Sequence, residues 1–257
     1  MKNIGIIQGR LSQPIEGFQE CPNNWKGEFD LLPSLGLNHI EWIVTKQSFD
    51  TNPLFSEDLS NYPISSICAD NLVDSGTVAY IYNVSFLRKN LKPICDAATL
   101  NNISTITIPL LEESDITNDV SRSSFINEIR NYGLEYPHLT FSFEIESYEH
   151  VIQEVLEACP NFRLTYDTGN MTSLGINHKY YIRKFIDKID NIHLKDRTFD
   201  KKTVLPTHGA TDFNSIFESL SQYDYNGRYT IQTAREGVGD EIQTIKRHKK
   251  LIENLYE

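Results

Sequence analysis

The sequence predicts an α/β chain folded as a single (β/α)8 barrel, and three observations carry that expectation. Its 257 residues match the roughly 250 that such a barrel takes. Short apolar segments alternate with longer helical patterns along the whole chain, which indicates repeated βα units and a parallel sheet. No linker or repeat divides it, so residues 1–257 read as one domain. The alternative is an open doubly wound sheet with a Gly-rich dinucleotide loop after the first strand. Here that connection is Gln8-Gly9-Arg10-Leu11-Ser12, which lacks the fingerprint.

The expected elements follow in order. Ile4–Ile7 is the first strand, and a helix over Trp25–Leu35 starts from Asn23 or Asn24 and stops at Gly36. His39–Val44 and Ile64–Cys68 are strands two and three. A helical region from Val78 to Leu100 contains Pro93, where it can break. Ser104–Pro109 is strand four, and a helix over Arg122–Asn131 ends near Gly133. Leu139–Ile145 is strand five, and Ser147 stands where it can cap a helix over Tyr148–Ala158. Phe162–Tyr166 is strand six, Tyr180–Lys188 a helix, and Asn191–Leu194 strand seven. After a loop from Asp196 to Thr211, Asp212 caps a helix over Phe213–Gln222. Arg228–Thr233 is strand eight, and Asp240–Tyr256 is the last helix.

Composition narrows the classes of partner. Apolar residues make up 39% and charged residues 23%, an ordinary globular balance. A net charge of −11 repels a phosphate backbone, so nucleic acid is not an expected partner. The basic run Lys246-Arg247-His248-Lys249-Lys250 reads as a solvated helix face. Cys21, Cys68, Cys95 and Cys159 are too far apart for a CxxC motif. The N-terminus has no signal-peptide pattern and the chain no membrane-length apolar stretch. The expectation is a cytoplasmic protein with reduced thiols and no membrane partner. A homodimer is compatible with the chain.

Barrel sites form at the C-terminal ends of the strands. The polar residues there are Gln8 and Arg10, Glu41, Asp70, Glu144 and Glu146, Asp167 and Asn170, His193, Asp196 and Arg197, and Gln232 with Arg235. In Phe141-Ser142-Phe143-Glu144-Ile145-Glu146, period-2 alternation puts Ser142, Glu144 and Glu146 on one side. The apolar set belongs to the helix layer, so Glu144 faces the axis, where an ionised carboxylate needs a metal or an ion-pair partner. Asp167 ends its strand in Asp167-Thr168-Gly169-Asn170 and either caps the next turn or ligates. His193, between Ile192 and Leu194, points to the same side as the two acids. Glu, Asp and His together suit one divalent metal, Mn, Mg, Co or Zn, able to hold neighbouring oxygens of a sugar. Asp196 and Arg197 are placed to bind substrate oxygens or to orient His193. Arg10 and Arg235 either neutralise an anionic substituent or close the barrel end in salt bridges. Gln8 and Asn170 can donate to hydroxyls, and Glu41 can accept from one or pair with a basic residue. Trp25 and Trp42 are expected in the core rather than on a sugar face.

These residues resemble the xylose-isomerase-like barrel superfamily of sugar phosphate isomerases and epimerases. The pieces are Ile4-Gly5-Ile6-Ile7-Gln8-Gly9-Arg10-Leu11-Ser12, Ile40-Glu41-Trp42-Ile43, Cys68-Ala69-Asp70, Tyr166-Asp167-Thr168-Gly169-Asn170, His193-Leu194-Lys195-Asp196-Arg197 and Gly209-Ala210-Thr211-Asp212-Phe213. Their order and spacing, more than any single piece, carry the likeness. In the epimerase-like members a Glu, Asp, His, Glu set holds one divalent metal, and the matching positions are Glu144, Asp167, His193 and Gln232. The two glutamates are also the paired acid and base there, so Gln232 departs from two-base 3-epimerase chemistry, since an amide is not a base. Asn170 stands where the endonuclease branch has a histidine, which sets DNA repair aside. The resemblance implies an isomerase, epimerase or related lyase acting on a small sugar, polyol or sugar derivative by proton abstraction next to a carbonyl. Glu144 is then the candidate base and Glu146 the reserve. A non-catalytic carbohydrate-binding protein and a metal-dependent hydrolase are the alternatives.

Overall fold

The computed structural model describes residues 3–15, 19–73 and 84–256. Its strands are β1 (Ile4–Ile7), β2 (Ile40–Ile43), β3 (Ile64–Cys68), β4 (Thr105–Leu110), β5 (Thr140–Ile145), β6 (Phe162–Asp167), β7 (Ile189–Leu194), β8 (Asp196–Arg197), β9 (Thr203–Val204) and β10 (Arg228–Ile231). The pair β8 and β9 forms a small antiparallel hairpin in the loop after β7. The other eight are parallel and close into a barrel in the order β1-β10-β7-β6-β5-β4-β3-β2. The helices are α1 (Trp25–Leu35), α2 (Val84–Asn90), α3 (Lys92–Leu100), α4 (Asp119–Glu135), α5 (Glu149–Glu157), α6 (Thr168–Ser173), α7 (His178–Phe185), α8 (Phe213–Gln222) and α9 (Glu241–Tyr256). The (β/α)8 barrel read from the sequence is therefore the fold.

Contacts group the chain into two compact units, residues 1–41 with 166–257, and residues 42–165. In the first, Ile6 of β1 lies opposite Ile231 of β10, and Ile7 opposite Glu41 of β2. Between β10 and β7, Thr230 lies opposite His193 and Ile231 opposite Leu194. Strand alternation then separates two rows. Ile192, Leu194 and Ile231 form the apolar one and are fully buried. Asn191, His193 and Thr230 form the polar one, and the Thr230 hydroxyl donates to Asn191 Oδ1 at 3.0 Å.

In the second unit, Thr107 of β4 lies opposite Ser142 of β5 and Pro109 opposite Glu144. The Phe143 ring meets Phe125 of α4 edge-on at 5.7 Å and Phe162 at 4.9 Å, the geometry aromatic quadrupoles favour. Ser142 points the other way, with its Oγ 2.7 Å from Thr165 Oγ1. Glu144 shares the Ser142 face by alternation.

Several local expectations hold and others are corrected. α1 stops at Gly36, whose φ of 61° is the left-handed cap that glycine tolerates. Asp212 caps α8 by accepting the Ser215 amide at 3.0 Å. The helical region before β4 does break, at Leu91, two residues before Pro93, and its expected start over Val78–Asn83 lies outside the described residues. Gly133 does not end α4. A Cβ there would stand 2.7 Å from Cys159 Sγ and 2.8 Å from the Phe162 ring, so glycine permits close helix–strand approach. Ser147 does not cap α5. Tyr148 holds the N-cap position, and the buried Ser147 hydroxyl has no hydrogen-bond partner among the described residues. All four cysteines are free. No helix among the described residues is long and apolar enough to cross a membrane.

Candidate metal centre

The polar row of β7 continues past the strand end, so Asn191, His193 and Lys195 share one face. Each reaches a carboxylate. Asn191 Nδ2 donates to Glu41 Oε2 at 2.9 Å, and His193 Nε2 lies 3.2 Å from both Glu41 oxygens. Lys195 Nζ donates to Asp167 Oδ2 at 3.1 Å. Glu41, Asn191 and His193 are fully buried, where an ionised carboxylate persists only with donors around it. The Asn191 amide and the imidazole N–H are those donors. A hydrogen on Nε2 directed at Glu41 places the imidazole lone pair on Nδ1.

Asp167 works in two directions at the end of β6. Its Oδ1 accepts the Asn170 amide at 2.7 Å and caps α6, while Oδ2 faces Lys195. Thr168 fixes the two strand ends together. Its hydroxyl donates to the Lys195 carbonyl at 2.6 Å and accepts the Lys195 amide at 3.0 Å. The turn-capping and ligand roles weighed for Asp167 are thus compatible, because each oxygen has its own partner and a second lone pair.

Glu144, Asp167 and His193 are all buried and each offers one ligand atom, and these atoms lie within 4.8 Å of one another. Two carboxylates and one imidazole are a borderline-to-hard donor set suited to a divalent cation. Gln232 adds an observation. Thr230 sits beside His193, and alternation returns to that face at Gln232, whose backbone N–H donates to Leu194 O at 3.1 Å. Gln232 Oε1 is buried without a hydrogen-bond partner among the described residues. Such an oxygen is costly, and a cation would satisfy it. The residues present therefore fit a divalent metal.

The remaining candidates occupy varied settings. Gln8 is fully buried and its backbone N–H donates to Glu41 O at 2.9 Å. Asn170 is buried in α6 beside Asp167. Asp196 is also buried, and its two oxygens accept the amides of Gly209 at 2.9 Å and Thr211 at 3.1 Å, closing that loop. Arg197 lies in the hairpin with its Nε 3.4 Å from Thr203 Oγ1. Glu146 and Asp70 are partly buried just beyond β5 and β3. Arg235 forms no salt bridge among the described residues. It donates to the carbonyls of Ser12 at 3.0 Å and Gly9 at 2.5 Å. Trp42 and Trp25 are buried, the former donating to Asn52 Oδ1 at 2.9 Å.

Lys195, Asn191 and Thr168 were not singled out from the sequence. For the first two a signal exists, since they stand two residues either side of His193 on an alternating strand. Thr168 gave none, because its role depends on where the next strand ends.

Residues 131–255 match the model of a family described as Xylose isomerase-like TIM barrel. An inosose dehydratase from Geobacillus thermodenitrificans is 26% identical over 28% of this chain and 30% of that protein, so the chain matches less than a third of that relative. The structure of the IOLI protein with a bound zinc atom is similar at a TM-score of 0.72 and 14% identity, covering 99% of each chain. An L-ribulose 3-epimerase gives a TM-score of 0.74 at 13% identity, covering 100% of this chain and 95% of the other. At such identities the solved structures speak to the fold. The family model thus matches just under half of the chain, and the chain as a whole has the fold of a xylose-isomerase-like (β/α)8 barrel.

Proposed function

We propose that the chain is a divalent-metal-dependent isomerase or epimerase, or a related lyase, acting on a small sugar, polyol or sugar derivative. The observation that carries this reading is the buried grouping of Glu144, Asp167 and His193. These three, with the Gln232 carbonyl, would hold the metal, whose contribution is Lewis-acid polarisation of a substrate oxygen. Glu41 keeps the His193 hydrogen on Nε2 and so presents Nδ1 as the donor. Lys195 holds the Asp167 carboxylate in place and brings a positive charge to the same end of the strand. Glu144 is assigned the proton on the carbon next to the substrate carbonyl. Gln232 cannot accept a second proton, so the chemistry is one-base, and a proton returned to the opposite face comes from water or another side chain. The names of an inosose dehydratase and an L-ribulose 3-epimerase among similar proteins support this class of reaction. The second reading, a carbohydrate-binding protein without turnover, is favoured by Gln232 alone.

Incubation of metal-loaded protein with ketoses, aldoses and keto-polyols in heavy water tests the proposal. Deuterium entering the carbon beside the carbonyl, and lost in Glu144→Gln, is the expected result. Sugar binding without any exchange would favour the binding protein.

A further inference from the structure

The loop after β1 is held from two sides. The Glu28 carboxylate of α1 accepts the Gly9 amide at 2.9 Å, the Leu11 amide at 3.0 Å and the Ser12 hydroxyl at 2.9 Å. Arg235 binds the Gly9 and Ser12 carbonyls. Gly9 itself has a φ of +85°, and a Cβ there would lie 2.5 Å from the Glu20 carbonyl oxygen. Arg10 therefore projects from a turn whose backbone donors and acceptors are fixed, as a preorganised contact requires.

Arg10 differs from the groups around it. Its Nε is buried without a hydrogen-bond partner, and it forms no ion pair among the described residues. The charge acting on it is the like charge of Arg235, which together with the larger effect of burial pulls its pKa down to about 10. The nearby carboxylates have other partners. Glu28 holds the loop, Glu236 meets His248 and Arg247, and Glu241 accepts the Gly239 amide. Arg10 is partly exposed, but burying its Nε with no partner among the described residues costs stability, and such costs concentrate where function requires them. A cavity of about 10 Å³, lined in part by Arg10, Thr233, Arg235 and Thr244, has room for one oxygen-sized group. It lies just beyond the C-terminal ends of β1 and β10, the end at which barrel sites form.

We propose that Arg10 receives one anionic oxygen of the substrate, carried on a carboxylate or a phosphate group, with Arg235 as the residue that positions it. This rests on the sugar-directed reading above and narrows it to acidic or phosphorylated derivatives.

Thermal unfolding and calorimetric titration of wild type and Arg10→Met, with sodium phosphate, sodium acetate and D-glucose at constant ionic strength, test it. At least one anion should stabilise the wild type where glucose does not. Phosphate alone would point to phosphorylated substrates, and acetate alone to sugar acids. Affinity for that anion should fall at least about tenfold in Arg10→Met, as loss of a charge-assisted contact implies. Without anion, Arg10→Met should melt at or above the wild type, because a partly buried charge with no ion-pair partner among the described residues is gone. No anion binding to the wild type, equal binding by the variant, or a variant melting well below the wild type would each overturn the proposal. The last result would make Arg10 a structural residue. Metal binding by the wild type, measured alongside, separates the two claims. Metal uptake without anion binding refutes the Arg10 assignment alone, and absence of both refutes the proposed function as well.

Discussion

The Nε2 atom of His193 stands 3.2 Å from both carboxylate oxygens of Glu41, a residue 152 positions earlier in the chain. The pair orients the imidazole and leaves the lone pair on its other nitrogen. Carboxylates behind a ligating histidine typically contribute ten- to a hundredfold in metal affinity. Glu41→Gln should therefore weaken Mn²⁺ or Co²⁺ binding by about ten- to a hundredfold while the barrel still folds. Titration calorimetry with a parallel unfolding curve checks this, and unchanged affinity would remove Glu41 from any role behind the metal.

Gln232 supplies a neutral oxygen where a carboxylate would bring charge. Gln232→Glu should keep or tighten metal binding, since it adds a charged ligand at the same place. Once a substrate is known, turnover against pH should also change shape, because a titrating group has been added. If metal affinity and pH profile both stay as in the wild type, Gln232 lies outside the coordination and its assignment is wrong.

Two buried imidazoles set an acid limit on stability. His178 is drawn from 6.5 to about 4 by burial, with Asp212 opposing. His39 is drawn to about 4 by burial and by Arg228, with Glu41 opposing. Between pH 6.5 and 4 the unfolded chain binds protons that the folded chain does not, so stability rises with pH in that window. It is fully present above pH 6.5 and lost as pH falls toward 4, by at most about 3 kcal/mol for each imidazole. Urea unfolding at pH 7.5, 6, 5 and 4.5 should trace that slope, and His178→Gln should flatten part of it. A stability that does not change across this range contradicts the assignment.

What was readable in the sequence was what alternation and capping govern locally. The facing of Glu144 away from Phe143, the row through His193, the stop at Gly36 and the cap at Asp212 all follow from a few neighbouring residues. The unread features depend on distant partners. Glu41 meets His193 only once β2, β1, β10 and β7 are in register. Gly133 looks like a helix end until Cys159 and Phe162 are packed against it. The six-residue α6 is too short to show an apolar period, and it exists because Asp167 caps it.

The central claim is that Glu144, Asp167 and His193 hold a divalent cation. Elemental analysis of protein purified without chelator, followed by titration with Mn²⁺, Co²⁺, Mg²⁺ and Zn²⁺, tests it most directly. The account predicts about one metal per chain, lost in Glu144→Ala, Asp167→Ala and His193→Ala variants that still fold. A wild-type protein that retains no metal and takes up none of the four contradicts it.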